Sequence, residues 1–369
     1  MPIRRPALYK QSTWHRVPVI RYPGGRSTPV ITRNSNTWIA LGAVAATLTG
    51  AAVVSAAQQQ KATTIKAGLV SDVGKFNDKS FNQSALEGLN RAKKELKATT
   101  RPIESRAAGD YIPNLTTLSR QKYDVTIGVG FLMADAIAAA AKKFPKQKFA
   151  IVDFSQTGLK GKPKNVRGLT FATNENSYMI GYMATKMAEV AKPGTDPIIS
   201  AVGGLKIPTV DIFIAGYQAG AKAANAKATV LVDYSQDFVA QDKCKTIGLD
   251  QISKGSQAVF QVAGGCGLGA LDAAREKGVW GIGVDRDQAF LGAHILTSAV
   301  KRVDVSVFDT IKDVQSGKFK GGDKVYTLKN KGVSLGKISS KVPAALLAEV
   351  NGLKAKIIAG TIKVPTAIS

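Results

Sequence analysis

The chain has 369 residues, enough for two lobes with separate cores but not for a large multidomain enzyme. Its two cysteines, Cys244 and Cys266, exclude a disulfide scaffold or a CxxC zinc cluster, and its two histidines, His15 and His294, form no HExxH or HxH pair, so neither a metal nor a cofactor is expected. The formal net charge is +25; seven cations precede residue 38 and no acid precedes Asp72, so the remainder still carries +18 and favours lipid headgroups, cell-wall polymers or nucleic acid.

The lysines beyond position 60 are scattered singly, with no RNP signature or basic heptad. Nucleic acid is therefore not the expected partner. A solvated basic face near an anionic envelope is.

Residues 1–37 are basic and rich in Pro, Gly and Ser, and read as a disordered segment. Residues 38–57, WIALGAVAATLTGAAVVSAA, hold no charge and would span ~30 Å as a helix, about one hydrocarbon core. Positive charge ahead of this run keeps the N-terminus in the cytoplasm and sends the rest outward. The run reads either as a retained signal anchor, the favoured reading, or as a signal peptide cut after Ala56 or Ala57. The globular part is expected outside the cytoplasm either way.

From residue 65, strand and helix patterns alternate. Strands are expected at 65–70, 124–129, 149–152, 166–171, 198–202, 229–233, 258–262, 280–284 and 294–296. Helices are expected at 80–96, 134–144, 177–190, 210–224, 240–254, 270–277 and 303–316. This alternation predicts an α/β fold of parallel sheets covered on both faces, with too many units for one small sheet. Two lobes follow: 62–172 with 293–318, and 173–292 with 319–369.

Ligands in open parallel sheets sit at the carboxyl ends of strands. The residues that follow the strands are therefore the candidates. After the first come Asp72, Asp78, Ser80, Phe81 and Asn82, an acid, an aromatic and an amide at a helix start. A hydroxylated ligand with a flat ring would suit them; equally, Asp78 or Ser80 caps the helix and Phe81 is core. Later strand ends bring Phe131, Asp153, Phe238, Gly264, Asp285 and Lys301. Gly265-Cys266-Gly267-Leu268-Gly269-Ala270, with Asp285 20 residues beyond Gly265, fits a dinucleotide fingerprint. Its mid-chain place, in an exported protein with no catalytic set, argues against that use.

Several words in order carry a resemblance: Asp72-Val73-Gly74, Asp78-Lys79-Ser80-Phe81-Asn82-Gln83-Ser84, Gly128-Val129-Gly130-Phe131, and Phe149-Ala150-Ile151-Val152-Asp153. Gly264-Gly265-Cys266-Gly267-Leu268-Gly269, Gly283-Val284-Asp285-Arg286-Asp287-Gln288 and Leu296-Thr297-Ser298-Ala299-Val300-Lys301-Arg302 follow. Together they resemble the basic membrane protein family, the purine-nucleoside receptors of type I periplasmic-binding-protein-like fold. The resemblance implies two Rossmann-like lobes joined by hinge crossovers, closing on a nucleoside that is passed to an ABC permease. It implies that Phe81 and Phe238 stack on the base, that Asp285 and Lys301 hold the ribose, and that Asp72, Asn82 or Asp153 reads the base edge. Phe131 and Gly264 complete the expected ligand set. The same fold binding a sugar or small signalling molecule is the nearest alternative, and a basic surface protein binding polyanions is one of another class. No enzyme activity is expected. The chain departs from the family pattern in lacking a lipid-anchor cysteine and in carrying Cys266. Cys244 and Cys266 fall at the same edge of one sheet, so a disulfide between them is expected.

Overall fold

Strands alternate with helices because short β-branched runs, buried on both faces, are separated by amphipathic segments one turn-set longer. The computed structural model describes residues 64–368. The basic segment 1–37 and the apolar helix expected at 38–57 lie outside the described residues. Among those described, no helix is long and apolar enough to cross a membrane.

The chain runs β1 (Lys66–Ser71), α1 (Phe81–Glu95), β2 (Thr99–Ile103), α2 (Tyr111–Arg120), β3 (Val125–Val129), α3 (Ala134–Lys143), β4 (Lys148–Val152) and β5 (Val166–Phe171). It then crosses over and continues with α4 (Thr173–Ala191), β6 (Ile198–Gly203), α5 (Pro208–Ala224), β7 (Thr229–Tyr234), α6 (Gln241–Ser253) and β8 (Ala258–Val262). The remaining elements are α7 (Gly267–Glu276), β9 (Trp280–Asp285), β10 (Ile295–Lys301), α8 (Val303–Gln315), β11 (Gly322–Tyr326), β12 (Val333–Leu335) and α9 (Ala344–Ile358).

Two six-stranded sheets result. The first has the order β11-β5-β4-β3-β1-β2 with every pair parallel. The second has the order β12-β10-β9-β8-β6-β7, parallel except for β12 against β10. All five residues of β3 and all five of β8 are buried, as expected for strands covered on both faces.

The lobe boundaries drawn from the sequence need correction. Residues 295–301 were expected in the first lobe, yet β10 pairs with β9 and β12 in the second sheet. Residues 322–326 were expected in the second, yet β11 pairs with β5 in the first. β10 is a largely buried strand and β11 a short edge strand with one buried residue, and neither pattern names its sheet; the crossovers decide. These fall at Ala172, Arg302 and 327–332. They are hydrogen-bonded to one another: the Ala172 N–H donates to Tyr326 O at 2.8 Å and the Arg302 N–H to Gly332 O at 2.9 Å. After Arg302, α8 returns to the first lobe, where the Asp304 N–H donates to Ser84 Oγ on α1 at 3.2 Å.

The cores follow from this layering. One apolar cluster runs through both lobes, from Leu69, Leu89 and Ile127 to Ile180, Tyr217 and Phe260. A second fills the other face of the first sheet, around Leu115, Leu118, Ile137 and Phe149. The outer face of the second sheet is packed by small residues, including Ala263, Ala270 and Ala274, with Cys244 and Cys266 among them. Those two cysteines are disulfide-bonded, with Cα atoms 5.6 Å apart. Closing a loop across 22 residues of sequence separation is worth about 3 kcal/mol. α4 and α5 approach backbone to backbone: a Cβ at Gly181 or Gly220 would overlap the carbonyl of Tyr217 or Tyr178.

Candidate functional site

The carboxyl ends of the two sheets face one another, and a cleft of about 620 Å³ of atom-free space, its mouth included, lies between them. All nine positions singled out as ligand candidates line it. Asp72, Phe81, Asn82, Phe131 and Asp153 come from the first lobe, and Phe238, Gly264, Asp285 and Lys301 from the second.

The alternatives left open at the start of α1 resolve in one way. Asp78 accepts the N–H groups of Ser80, Asn82 and Gln83 at 2.9, 2.9 and 3.0 Å, so it caps the helix. Ser80 is thereby released from capping. Its hydroxyl donates across the cleft to Asp285 Oδ2 at 2.7 Å. Phe81, the first residue of α1, is only partly buried and lines the cleft rather than the core centre.

At one end of the cleft, Asp72 Oδ1 accepts from the Gly74 N–H and from Asn82 Nδ2, both at 3.2 Å. Turning its amide nitrogen to this carboxylate leaves Asn82 Oδ1 buried without a protein partner. Gly130 has φ of 119°, and any side chain there would strike the Asp72 carboxylate. Burial pushes Asp72 up to about 6, against the opposing hydrogen bonds from Gly74 and Asn82.

At the other end, Lys301 closes β10 and is 3% exposed. Its Nζ lies 2.5 Å from Asp153 Oδ2 of the first lobe and 3.8 Å from Asp285 Oδ1 of the second. It also sits 4.6, 5.3 and 5.5 Å from the ring centres of Phe81, Phe171 and Phe213. Burial raises both carboxyls above the ordinary range, and the Lys301 charge opposes that rise. Asp153 and Asp285 both have positive φ, 68° and 62°. Left-handed backbone is uncommon outside glycine, and Asp is among the residues that tolerate it. One such turn follows β4 of the first sheet and the other ends β9 of the second, a pattern typical of ligand sites.

Phe238 is held from behind. Its carbonyl accepts the Cys266 N–H at 3.0 Å, and a side chain at Gly204 would collide with its ring. The disulfide ties that same Cys266 to α6.

The lobes also meet beside the cleft. Arg286 Nη2 lies 2.7 Å from Glu87 Oε1, and Gln288 Nε2 donates to Lys79 O at 3.1 Å.

Sequence reasoning missed the apolar wall built by Ile207, Thr209, Val210 and Phe213. The rule that ligands sit after strands applies to it, since it follows β6. None of these four lining residues is an acid or amide, and the one acid of the segment, Asp211, accepts from the Tyr234 hydroxyl instead of lining the cleft, so the segment raised no chemical flag. Among the described residues lining the cleft there is no cysteine, serine or histidine.

A family model for PnrA-like ABC transporter substrate-binding proteins matches residues 65–367. The chain is 37% identical to the ABC transporter nucleoside-binding protein BmpA of Lactococcus lactis, over 82% of this chain and 90% of that protein. It is 36% identical to the CD4+ T-cell-stimulating antigen of Listeria monocytogenes, over 80% and 87%. It is 32% identical to basic membrane protein A of Borreliella burgdorferi, over 82% and 88%. Among solved structures, an ABC transporter solute-binding protein from Aeropyrum pernix superposes with a TM-score of 0.75 at 26% identity, covering 82% of this chain and 94% of that one. Fold, cleft and sequence agree: this chain belongs to the PnrA-like family of ABC transporter substrate-binding proteins.

Proposed function

We propose that the chain is the receptor of an ABC importer that carries a purine nucleoside across a membrane. It works outside the cytoplasm, is tethered through residues 38–57 and performs no chemistry on its ligand. The observation that carries this reading is the division of one cleft into three chemistries. Asp72 and Asn82 present acceptors at one end. Phe81 and Phe238, from opposite lobes, supply ring faces. Lys301 with Asp153 and Asp285 forms a charged, hydroxyl-binding set at the other end.

A nucleoside matches this order. Its heterocycle stacks on the rings, an interaction worth ~1–3 kcal/mol per base in single-strand binders. Its ribose hydroxyls donate to Asp285 and accept from Lys301, and charge-assisted bonds of this kind are roughly twice as strong as neutral ones. A bare sugar would leave both phenylalanines without a partner. The name of the Lactococcus relative points the same way.

Ligand that bridges the lobes binds the closed arrangement preferentially and shifts the population toward it. A permease can then distinguish loaded from empty receptor. Thermal-shift measurements on the full chain test the ligand class. A purine nucleoside at about 100 times its Kd should stabilise the fold by ~2.7 kcal/mol, whereas D-ribose or free base should do much less. Stabilisation by ribose equal to that by the nucleoside would reject the reading.

A further inference from the structure

In a parallel βα sheet, the strand starts and the helix ends gather at the pole opposite the cleft. In the first lobe this pole is formed by segments 92–98, 117–124, 140–148, 156–165 and 312–321. They carry fifteen Lys or Arg residues and three acids. The matching segments of the second lobe, 188–197, 221–228, 250–257, 273–279 and 289–294, carry six and four. Lobes of the same architecture thus differ at one pole only in charge, and the overall basicity of the chain does not account for that.

The five segments form one face. Asn165 Nδ2 lies 3.2, 3.2 and 2.9 Å from the carbonyls of Ala141, Phe144 and Gln147, which locks the start of β5 onto the end of α3. Gln315 Nε2 donates to Leu96 O at 3.0 Å, joining the ends of α8 and α1. Arg167 Nε donates to Lys320 O at 3.0 Å. The lysines point outward: Lys142, Lys143, Lys146, Lys160, Lys162 and Lys164 are all exposed, and none forms an ion pair among the described residues. In the second lobe, Lys227 and Lys254 are already paired with Asp196 and Asp250. Helix ends favour cations, which accounts for the lysines in the last turns of α1 and α3. It does not account for Lys146, Lys160, Lys162 or Lys164, which stand in loops.

We propose that this pole of the first lobe is a docking face for an anionic lipid surface. The chain enters the fold here, at Lys66, with only the eight residues 58–65 between it and the uncharged stretch 38–57. A membrane-held chain therefore has this pole within reach of headgroups. Lysines near such a surface each add to the attraction, and the effect fades within a Debye length. Seating the pole on lipid turns the cleft end of the first sheet away from it. The inference rests on the membrane tether proposed above.

The test uses the full chain reconstituted with phosphatidylglycerol or with phosphatidylcholine vesicles, and amine labelling read by mass spectrometry. On phosphatidylglycerol, labelling of Lys146, Lys160, Lys162 and Lys164 should fall at least roughly threefold, and that of Lys277 in the second lobe should not change. Raising the salt from about 0.1 M to about 1 M, which shortens the Debye length from ~10 Å to ~3 Å, should restore it. The triple variant K160E/K162E/K164E should lose protection at Lys146 while keeping its nucleoside affinity. Equal labelling of the pole on both lipids overturns the proposal, as does equal protection of both lobes. Protection by soluble polyphosphate but not by vesicles overturns it in favour of a soluble polyanion. A chain that stays in solution with both lipids refutes the tether as well as the pole. A chain held by both lipids with its pole lysines unprotected refutes the pole alone.

Discussion

The two ends of the first sheet carry opposite chemistry. Where its strands finish, Asp72 is buried, Asp153 is partly buried, and Asp78 caps the following helix; among the described residues, Lys301 is the one cation that lines the cleft. Where its strands start, exposed lysines predominate. The lesson is that a net charge of +25 describes the outside of this molecule and not its site. A charge in the cleft is desolvated and held by named partners, so its removal is costly. A charge at the pole is hydrated and adds only to a field.

Substituting one lysine in each place sharpens that contrast most. Lys301→Met leaves Asp153 and Asp285 buried without their cation and should cost about 3–5 kcal/mol in denaturant unfolding. Lys162→Met should stay within about 0.5 kcal/mol. Equal effects would break the comparison. Next in size is the disulfide: Cys244→Ala with Cys266→Ala should cost about 3 kcal/mol. It should also weaken ligand binding, because Cys266 supports the Phe238 backbone. Phe81→Ala and Asp285→Ala should each lower nucleoside affinity at least about tenfold, or ~1.4 kcal/mol, with the fold intact by circular dichroism.

Asp72 supplies a pH test. With its carboxyl raised to about 6, it is an acceptor at neutral pH and becomes protonated as pH falls through that value. Affinity for a nucleoside that donates N–H at this edge should then fall by up to about tenfold per pH unit. Affinity that rises instead would mean that the ligand accepts there. Without ligand, the sign for stability is opposite. A carboxyl raised in the folded state contributes stability below its unfolded value of 3.8, and loses it as pH rises through about 6. The smallest effect belongs to Arg286→Ala. It removes a half-exposed link between lobes worth about 0.2–1 kcal/mol and should weaken apparent affinity by no more than about fivefold.

Much of the fold was legible because its inner strands and amphipathic helices carry strong periodic signals. Five elements were not, β12 among them because it is a strand of only three residues. β2 is an edge strand with three exposed residues and Pro102, so it has no apolar alternation. β11, another edge strand, alternates but is short and has a single buried residue. α2 is a ten-residue helix that carries Pro113. α9 is apolar almost all round, which blurs its period. The allocation of β10 and β11 between sheets was illegible for a different reason: strand sequence does not encode which open edge will accept it.

The site divides in the same way. Polar and aromatic residues at strand ends are conspicuous, so Asp72, Phe81, Asp153, Asp285 and Lys301 could be found. The wall from Ile207 to Phe213 lines the cleft with Ile207, Thr209, Val210 and Phe213, which look like an ordinary helix start. The exchange by which Asp78 takes over capping and frees Ser80 to reach Asp285 depends on geometry between lobes that no local pattern contains.

Calorimetric titration of the full chain with a purine nucleoside at low and high salt tests the central claim most directly. An uncharged ligand held between two rings and a buried charge set should bind one-to-one, with affinity nearly independent of salt and at least about tenfold weaker in Phe81→Ala. No binding heat, or an affinity that falls steeply with salt as polyanion binding does, would contradict it.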